Sequence, residues 1–72
     1  MHFYQRLREL REQEGKSQAE IAIVLNTARE QYHKYEVGKQ EIPFHHVITL
    51  AKFYNVSLDY LADLISEPRK IK

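Results

Sequence analysis

The chain has 72 residues and no cysteine, and its 11 basic and 10 acidic side chains give a formal charge of +1. This length allows one small domain of modest stability, and the lack of cysteine excludes disulfides and thiolate metal sites. The sequence has neither the run of about 20 apolar residues that a membrane helix needs nor the apolar segment of a signal peptide. We therefore expect a cytoplasmic protein that does not enter membranes. Any basic character that it offers to a nucleic acid must be local.

Hydrophobic periodicity predicts five helices and no strand. The first helix covers about residues 2–14, with Phe3, Leu7 and Leu10 on its apolar face and charged residues, Arg6 among them, on its outer face. Gly15 is expected to end this helix as a C-cap residue.

The second helix opens at Ser17, where Ser17 and Glu20 have the spacing of a capping box. Ile21, Ala22 and Leu25 form its predicted buried face, and Asn26 suits a tight turn because asparagine tolerates the left-handed conformation.

The third helix is predicted over residues 28–37, with Tyr32 and Tyr35 facing inward. Thr27 and Glu30 have the spacing of a second capping box. Gly38 then ends the helix, and the residues up to Pro43 form a connector.

The fourth helix starts near Pro43 and ends at Asn55. Its apolar positions are Phe44, Val47, Ile48, Leu50, Ala51 and Tyr54. Ser57 is expected to cap the fifth helix. The apolar face of the fifth helix comprises Leu58, Leu61, Leu64 and Ile65. We divide the chain into a domain at residues 1–66 and a short basic tail at 67–72.

The order and spacing of several short motifs resemble the Cro/C1-type, or XRE-like, helix-turn-helix family of phage and bacterial repressors. The matching motifs are R-L-R-E-L-R at 6–11, S-Q-A-E-I-A at 17–22, K-Y-E-x-G-K at 34–39, I-P at 42–43 and L-A-x-x-Y-N-V-S-L-D-Y-L at 50–61. The resemblance implies an all-α fold, a compact five-helix lambda-repressor-like domain. It also implies binding to double-stranded DNA, usually as a homodimer on a near-palindromic operator.

The resemblance also assigns roles to individual residues. The predicted base-contacting residues lie on the outer face of the third helix and are Ala28, Arg29, Glu30 and Lys34. Gln18 and Lys39 match positions that contact the DNA backbone. Glu36 matches a structural glutamate that pairs with a basic residue of the first helix, such as Arg11.

Side-chain chemistry fits some of these roles better than others. The planar fork of Arg29 can donate two hydrogen bonds to guanine, although this arginine could instead pair with Glu12 or Glu36. Gln31 and His33 flank the same face and could donate to phosphates. Phosphate would repel Glu30 unless that carboxylate accepts from cytosine, so closing the cap at Thr27 is its simpler role.

Other function classes find little support in the sequence. There is no Ser/His/Asp set, paired-acid motif or glycine-rich phosphate loop, so we do not expect an enzyme. The neighbouring His45 and His46 point in different directions on a helix, and no further ligand stands at metal spacing. No cofactor and no metal are expected.

Two interfaces with proteins remain open. Leu58, Leu61, Leu64 and Ile65 are candidates for a homodimer contact, although the core of the chain itself could claim some of them. Ile23, Val24 and Val37 stand where polar residues are usual in the family, and they could form an apolar patch. That patch would suit an antitoxin or another protein-partner module of the same fold.

Overall fold

A computed structural model describes residues 3–61 of the chain, and these residues form five helices without a strand. The helices are α1 (Phe3–Gln13), α2 (Gln18–Val24), α3 (Arg29–Glu36), α4 (Phe44–Tyr54) and α5 (Leu58–Leu61). The predicted all-α, five-helix architecture is therefore confirmed for this part of the chain. Within it, no helix is both long enough and apolar enough to cross a bilayer. The predicted helix start at His2, the domain end at residue 66 and the 67–72 tail lie outside the described residues.

One apolar core joins the helices. It includes Leu7 of α1, Ile21 of α2, Tyr32 of α3, Leu50 of α4 and Leu61 of α5, all without exposed surface. α2 packs extensively on α3, and α3 also packs on α1. Ala22, which the sequence placed on the inner face of α2, is buried as expected. The inner sides of α2 and α3 are thereby fixed, while their outer sides face solvent.

The predicted start of α2 and the turn that follows it are confirmed. The Ser17 hydroxyl accepts from the Glu20 amide at 3.1 Å, and the Ser17 amide donates to the Glu20 carboxylate at 2.9 Å. This bond from the Ser17 amide lowers the pKa of Glu20. Asn26 adopts the left-handed conformation with φ of 55°.

The capping box predicted at Thr27 is wrong. Ala28 is the N-cap residue of α3, and no side chain caps this helix. The Thr27 amide donates to the Ala22 carbonyl at 2.9 Å, so Thr27 closes the turn that follows α2 and does not cap α3. Ala28 is the residue with extended backbone, and Glu30 is left without the capping role that the sequence favoured.

Two residues differ from the predicted burial. Arg6 was predicted to be exposed, and Phe44 was predicted to be apolar core. Arg6 is buried rather than outward, with its guanidinium carbon 4.1 Å from the ring centre of Tyr60 and a 2.7 Å ion pair with Glu9. Phe44, counted among the apolar positions of α4, is 68% exposed because it lies at the very first residue of that helix. The predicted cap of α5 is confirmed by a 3.1 Å bond from the Tyr60 amide to the Ser57 hydroxyl.

The close approach of Tyr4 to Gly38 is a feature that periodicity did not indicate. Gly38 ends α3 with φ of +78°, and a Cβ atom placed there would lie 2.9 Å from the ring of Tyr4. The glycine therefore serves both the left-handed turn and the packing of α1 against the end of α3.

Candidate nucleic-acid interface

The two sides of α3 differ sharply in exposure. Tyr32, Tyr35 and Glu36 are buried, whereas Arg29, Glu30, His33 and Lys34 are exposed. The alternation follows from the helical repeat, which places residues three and four apart on one side. The outward side chains of α3 are therefore free to contact a ligand.

Six of the predicted contact residues line one shallow groove. Its walls comprise Gln18, Arg29, Glu30, His33, Lys34 and Lys39. Three segments contribute to it: the start of α2, the outer face of α3 and the residue after Gly38. The groove holds three cationic side chains and one carboxylate, which gives the nearly neutral chain a locally basic surface.

The structure places the remaining two predicted DNA contacts outside this groove. Gln31 is half-buried at the side of α3, and Ala28 is exposed at its N-terminal end. The side chain of Ala28 carries no polar group, so any contact that this side chain makes with a base must be apolar.

Arg11 and Glu36 form the ion pair expected from the family resemblance. Arg11 Nε donates to Glu36 Oε2 at 2.6 Å and Nη2 donates to Oε1 at 3.2 Å, while Nη1 donates to the Lys16 carbonyl at 2.8 Å. The side chains are only 12% and 2% exposed. This arrangement ties α3 to α1 and to the loop before α2.

The protonation states of this pair follow from its geometry. Desolvation acts to raise the pKa of Glu36, but the hydrogen bonds it accepts, chiefly from Arg11, outweigh that effect and lower it. The hydrogen bond with Glu36 raises the pKa of Arg11. Both groups are therefore charged at neutral pH.

Gln18 connects the buried pair to the groove, a role that the sequence did not suggest. Its Nε2 lies 3.1 Å from Glu36 Oε1 and 3.2 Å from His33 Nδ1, and its Oε1 lies 3.5 Å from Arg29 Nη1. The alternative pairing of Arg29 with Glu12 or Glu36 does not occur, and its guanidinium makes this weak contact with Gln18 instead. Arg8, and not Arg29, pairs with Glu12, at 3.1 Å.

Sequence reasoning predicted Gln18 as a DNA-backbone contact, but it missed the hydrogen bonds of this side chain to Glu36 and His33 and the burial of Arg6. Arg6 stands three residues after Phe3 and four before Leu10, so the spacing alone could have placed it on the apolar face of α1. The link from Gln18 to Glu36 spans 18 positions, and periodicity carries no information about it.

His45 and His46 lie at the start of α4 with ring centres 4.2 Å apart. Burial, and secondarily the charge of His45, lowers the pKa of His46. Among residues 3–61 no three His, Cys, Asp or Glu side chains come together in a way that could hold a metal ion.

The three apolar residues that the sequence suggested as a single patch do not lie together. They are found in two separate depressions. Ile23 is 77% exposed and lines a depression with Val24 and Phe53, whereas Val37 lines another with Arg8 and Arg11. Of the candidate dimer residues, Leu61 lies in the core, which is the intramolecular role that the sequence left open. Leu58 is 37% exposed, and Leu64 and Ile65 are not among the described residues.

Comparison with known proteins agrees with the geometry. Residues 4–67 match the helix-turn-helix domain family. The chain is 32% identical over 66 residues to the uncharacterized HTH-type transcriptional regulator YobD of Bacillus subtilis strain 168, covering 92% of this chain and 59% of that protein. It is 37% identical over 59 residues to the SPbeta prophage-derived uncharacterized HTH-type transcriptional regulator YonR of the same organism, covering 82% of this chain and 55% of that protein.

The chain thus spans a little over half the length of these two relatives. No solved structure matches it significantly. The family match covers most of the chain, and the matched residues include α2, the turn, α3 and every residue of the groove described above. On this evidence the chain belongs to the XRE-like helix-turn-helix family.

Proposed function

We propose that this chain binds double-stranded DNA sequence-specifically in the cytoplasm and regulates transcription as a repressor, with α3 in the major groove. The observation that carries the proposal is the groove where Arg29, Lys34 and Lys39 converge with Gln18 on the exposed side of α3. An α-helix fits the major groove, and cationic side chains beside it match the charge of the phosphates. Membership of the helix-turn-helix family and the printed names of the relatives support the same function.

Within this interface the residues have distinct proposed tasks. Arg29 reads a guanine through two parallel hydrogen bonds, and Lys34 reaches a base or a phosphate from the next turn. Ala28 and Glu30 adjoin them at the start of α3, where Glu30 would have to accept from cytosine. Lys39, Gln18, Gln31 and His33 are proposed to contact phosphates.

We propose further that two copies bind together. One helix reads few base pairs, and family members bind half-sites whose centres lie about 34 Å apart, one turn of DNA. Leu58 supports this arrangement because it is 37% exposed and lines an apolar groove with Ile48 and Ala51. Leu58→Glu is expected to convert a dimer into a monomer in sedimentation equilibrium, and a variant that remains dimeric would remove Leu58 from the contact.

The direct test is selection of bound duplexes from a random pool, followed by sequencing. The wild-type protein should enrich a near-palindromic motif with half-sites about 10 base pairs apart. Arg29→Ala should lose its preference at one base pair per half-site, a discrimination of about 1–3 kcal/mol, with unchanged helical circular dichroism. Lys52→Ala removes an exposed cation from α4 beside the proposed dimer groove, and at concentrations where sedimentation shows it to be dimeric this control should select the wild-type motif. A pool that shows no enrichment with the wild-type protein would overturn the proposal.

One observation favours a second candidate function, which is binding of a protein partner as an antitoxin or a similar module. Ile23 is 77% exposed beside Val24 and the 43% exposed Phe53, an apolar combination on the outer side of α2. Co-expression with the product of a neighbouring gene would give a complex that Ile23→Glu abolishes. Unchanged complex formation by Ile23→Glu would exclude this surface.

A further inference from the structure

Gln18 stands between a buried charge and two groove residues. Its amide group contacts the Glu36 carboxylate at 3.1 Å, His33 Nδ1 at 3.2 Å and Arg29 Nη1 at 3.5 Å. Gln18 is itself half-buried, at the start of α2. The three partners come from one helix, α3, so a single side chain links the inner and outer sides of that helix.

The direction of each hydrogen bond follows from the Glu36 carboxylate. An ionised carboxylate only accepts, and Arg11 holds Glu36 in that form through its 2.6 Å and 3.2 Å bonds. The nitrogen of the Gln18 amide must therefore face Glu36, since the opposite orientation would set two acceptors against each other. The amide oxygen then lies on the side of Arg29, where it accepts from a guanidinium that can only donate.

The second hydrogen of the Gln18 amide determines the state of His33. An amide nitrogen carries two hydrogens, and one of them is used on Glu36, which leaves the other for the His33 ring at 3.2 Å. Nδ1 of His33 must then accept, so the proton of the neutral imidazole is carried by Nε2. Because His33 is exposed, this N–H is available to an acceptor outside the protein.

We propose that Gln18 is a positioning residue for His33. The Glu36 carboxylate orients the Gln18 amide nitrogen, and this nitrogen donates to His33 Nδ1 and thereby favours the Nε2–H tautomer of the neutral ring. The groove thereby presents a donor of set direction beside Arg29, which suits acceptors such as DNA phosphate oxygens. This consequence rests on the proposed function, whereas the tautomer is a property of the free protein.

The test is long-range proton–nitrogen NMR correlation of the full chain without DNA. At about pH 8, well above the reference imidazole pKa of about 6.5, the neutral tautomers can be distinguished. We expect the form of His33 with protonated Nε2 and bare Nδ1 to predominate, by up to about tenfold more than in an unstructured peptide, because one exposed hydrogen bond contributes about 0.5–1.5 kcal/mol. In Gln18→Ala the His33 pattern should shift to the tautomer mixture of histidine in an unstructured peptide.

Gln31→Ala supplies the matched control, because it truncates another half-buried glutamine outside the groove and should leave the His33 pattern unchanged. Circular dichroism of each variant verifies that the helices are retained. A protonated Nδ1 in the wild-type protein, or an unaltered His33 pattern in folded Gln18→Ala, would overturn the inference. Both outcomes are measured without DNA. The proposed function is tested separately, by the duplex selection.

Discussion

The two helices of the helix-turn-helix unit are held by different means. α2 begins with a reciprocal cap made by Ser17 and Glu20, three residues apart. α3 follows Ala28, an N-cap residue without a capping side chain, and is instead anchored at its far end by Glu36, whose partner Arg11 stands 25 residues away. Local chemistry thus defines α2, whereas tertiary contacts define α3.

This difference matters for function because α3 is the helix that presents the candidate interface. A helix fixed from its inner side by Tyr32, Tyr35 and Glu36 can change its outer residues without losing its position. We therefore expect substitutions on the inner side of α3 to change stability and substitutions on its outer side to change DNA binding.

The largest effect on stability is expected from the anchor of α3. Glu36→Gln keeps the size of the side chain but leaves Arg11, which is 12% exposed, without its countercharge. Removing one partner of a buried pair typically lowers the free energy of unfolding by about 3 kcal/mol. Urea denaturation measures this loss.

The control for Glu36→Gln is Glu12→Gln, which breaks the ion pair with Arg8. Those side chains are 66% and 54% exposed, so the expected loss is about 0.5 kcal/mol or less. Equal losses in the two variants would show that burial of the Arg11–Glu36 pair has no special weight.

The same pair predicts a dependence of stability on pH. The pKa of Glu36 is lower in the folded chain than in the unfolded one, so its contribution is fully present above about pH 4.3. The contribution is lost as the pH falls through the folded value. Acid titration of unfolding should therefore be shallower for Glu36→Gln than for the wild type, and parallel curves would contradict the prediction.

The next effect concerns the end of α3. Gly38→Ala places a methyl group in a left-handed position, at a cost of about 1 kcal/mol, and 2.9 Å from the Tyr4 ring. Gly15→Ala has the same kind of backbone, with φ of +67°, but meets no atom within 4 Å. We expect Gly38→Ala to be less stable than Gly15→Ala by about 1 kcal/mol, since the half-buried ring can partly shift. Identical melting temperatures would show that the ring moves freely.

The two helix starts supply a pair of opposite predictions. Ser17→Ala removes the cap of α2 and should lower the free energy of unfolding by about 1 kcal/mol. Ala28→Ser should raise it by a similar amount, because Ala28 has the extended backbone of an N-cap residue and no capping side chain. A destabilised Ala28→Ser variant would mean that this turn cannot accommodate a cap.

The smallest effect on stability is expected on the outer side. Lys39→Ala should leave unfolding unchanged but weaken binding to all duplexes alike, and it should reduce the slope of log affinity against log salt by about one unit. Lys52→Ala, on α4, should leave that slope unaltered. An unchanged slope in Lys39→Ala would argue against a phosphate contact at this residue.

Several features could be predicted because their causes are short in range. Apolar spacing located the helices, the Ser17–Glu20 spacing gave the cap of α2, and Asn26 marked the turn. The prediction failed at Thr27, where the capping pattern was present but the turn kept that residue bonded to Ala22. It failed again at Arg6, because the charge of that residue hid its position on the apolar side of α1.

The candidate site divides in the same way. The sequence, through periodicity and family motifs, indicated which residues of α3 face outward and that Glu36 pairs with Arg11, as the structure shows. The bonds of Gln18 to Glu36 and His33, and the contact of Tyr4 with Gly38, were decided only when distant segments packed together. Helical repeats and caps depend on neighbours three or four residues apart, whereas these contacts depend on how α1, α2 and α3 cross in space.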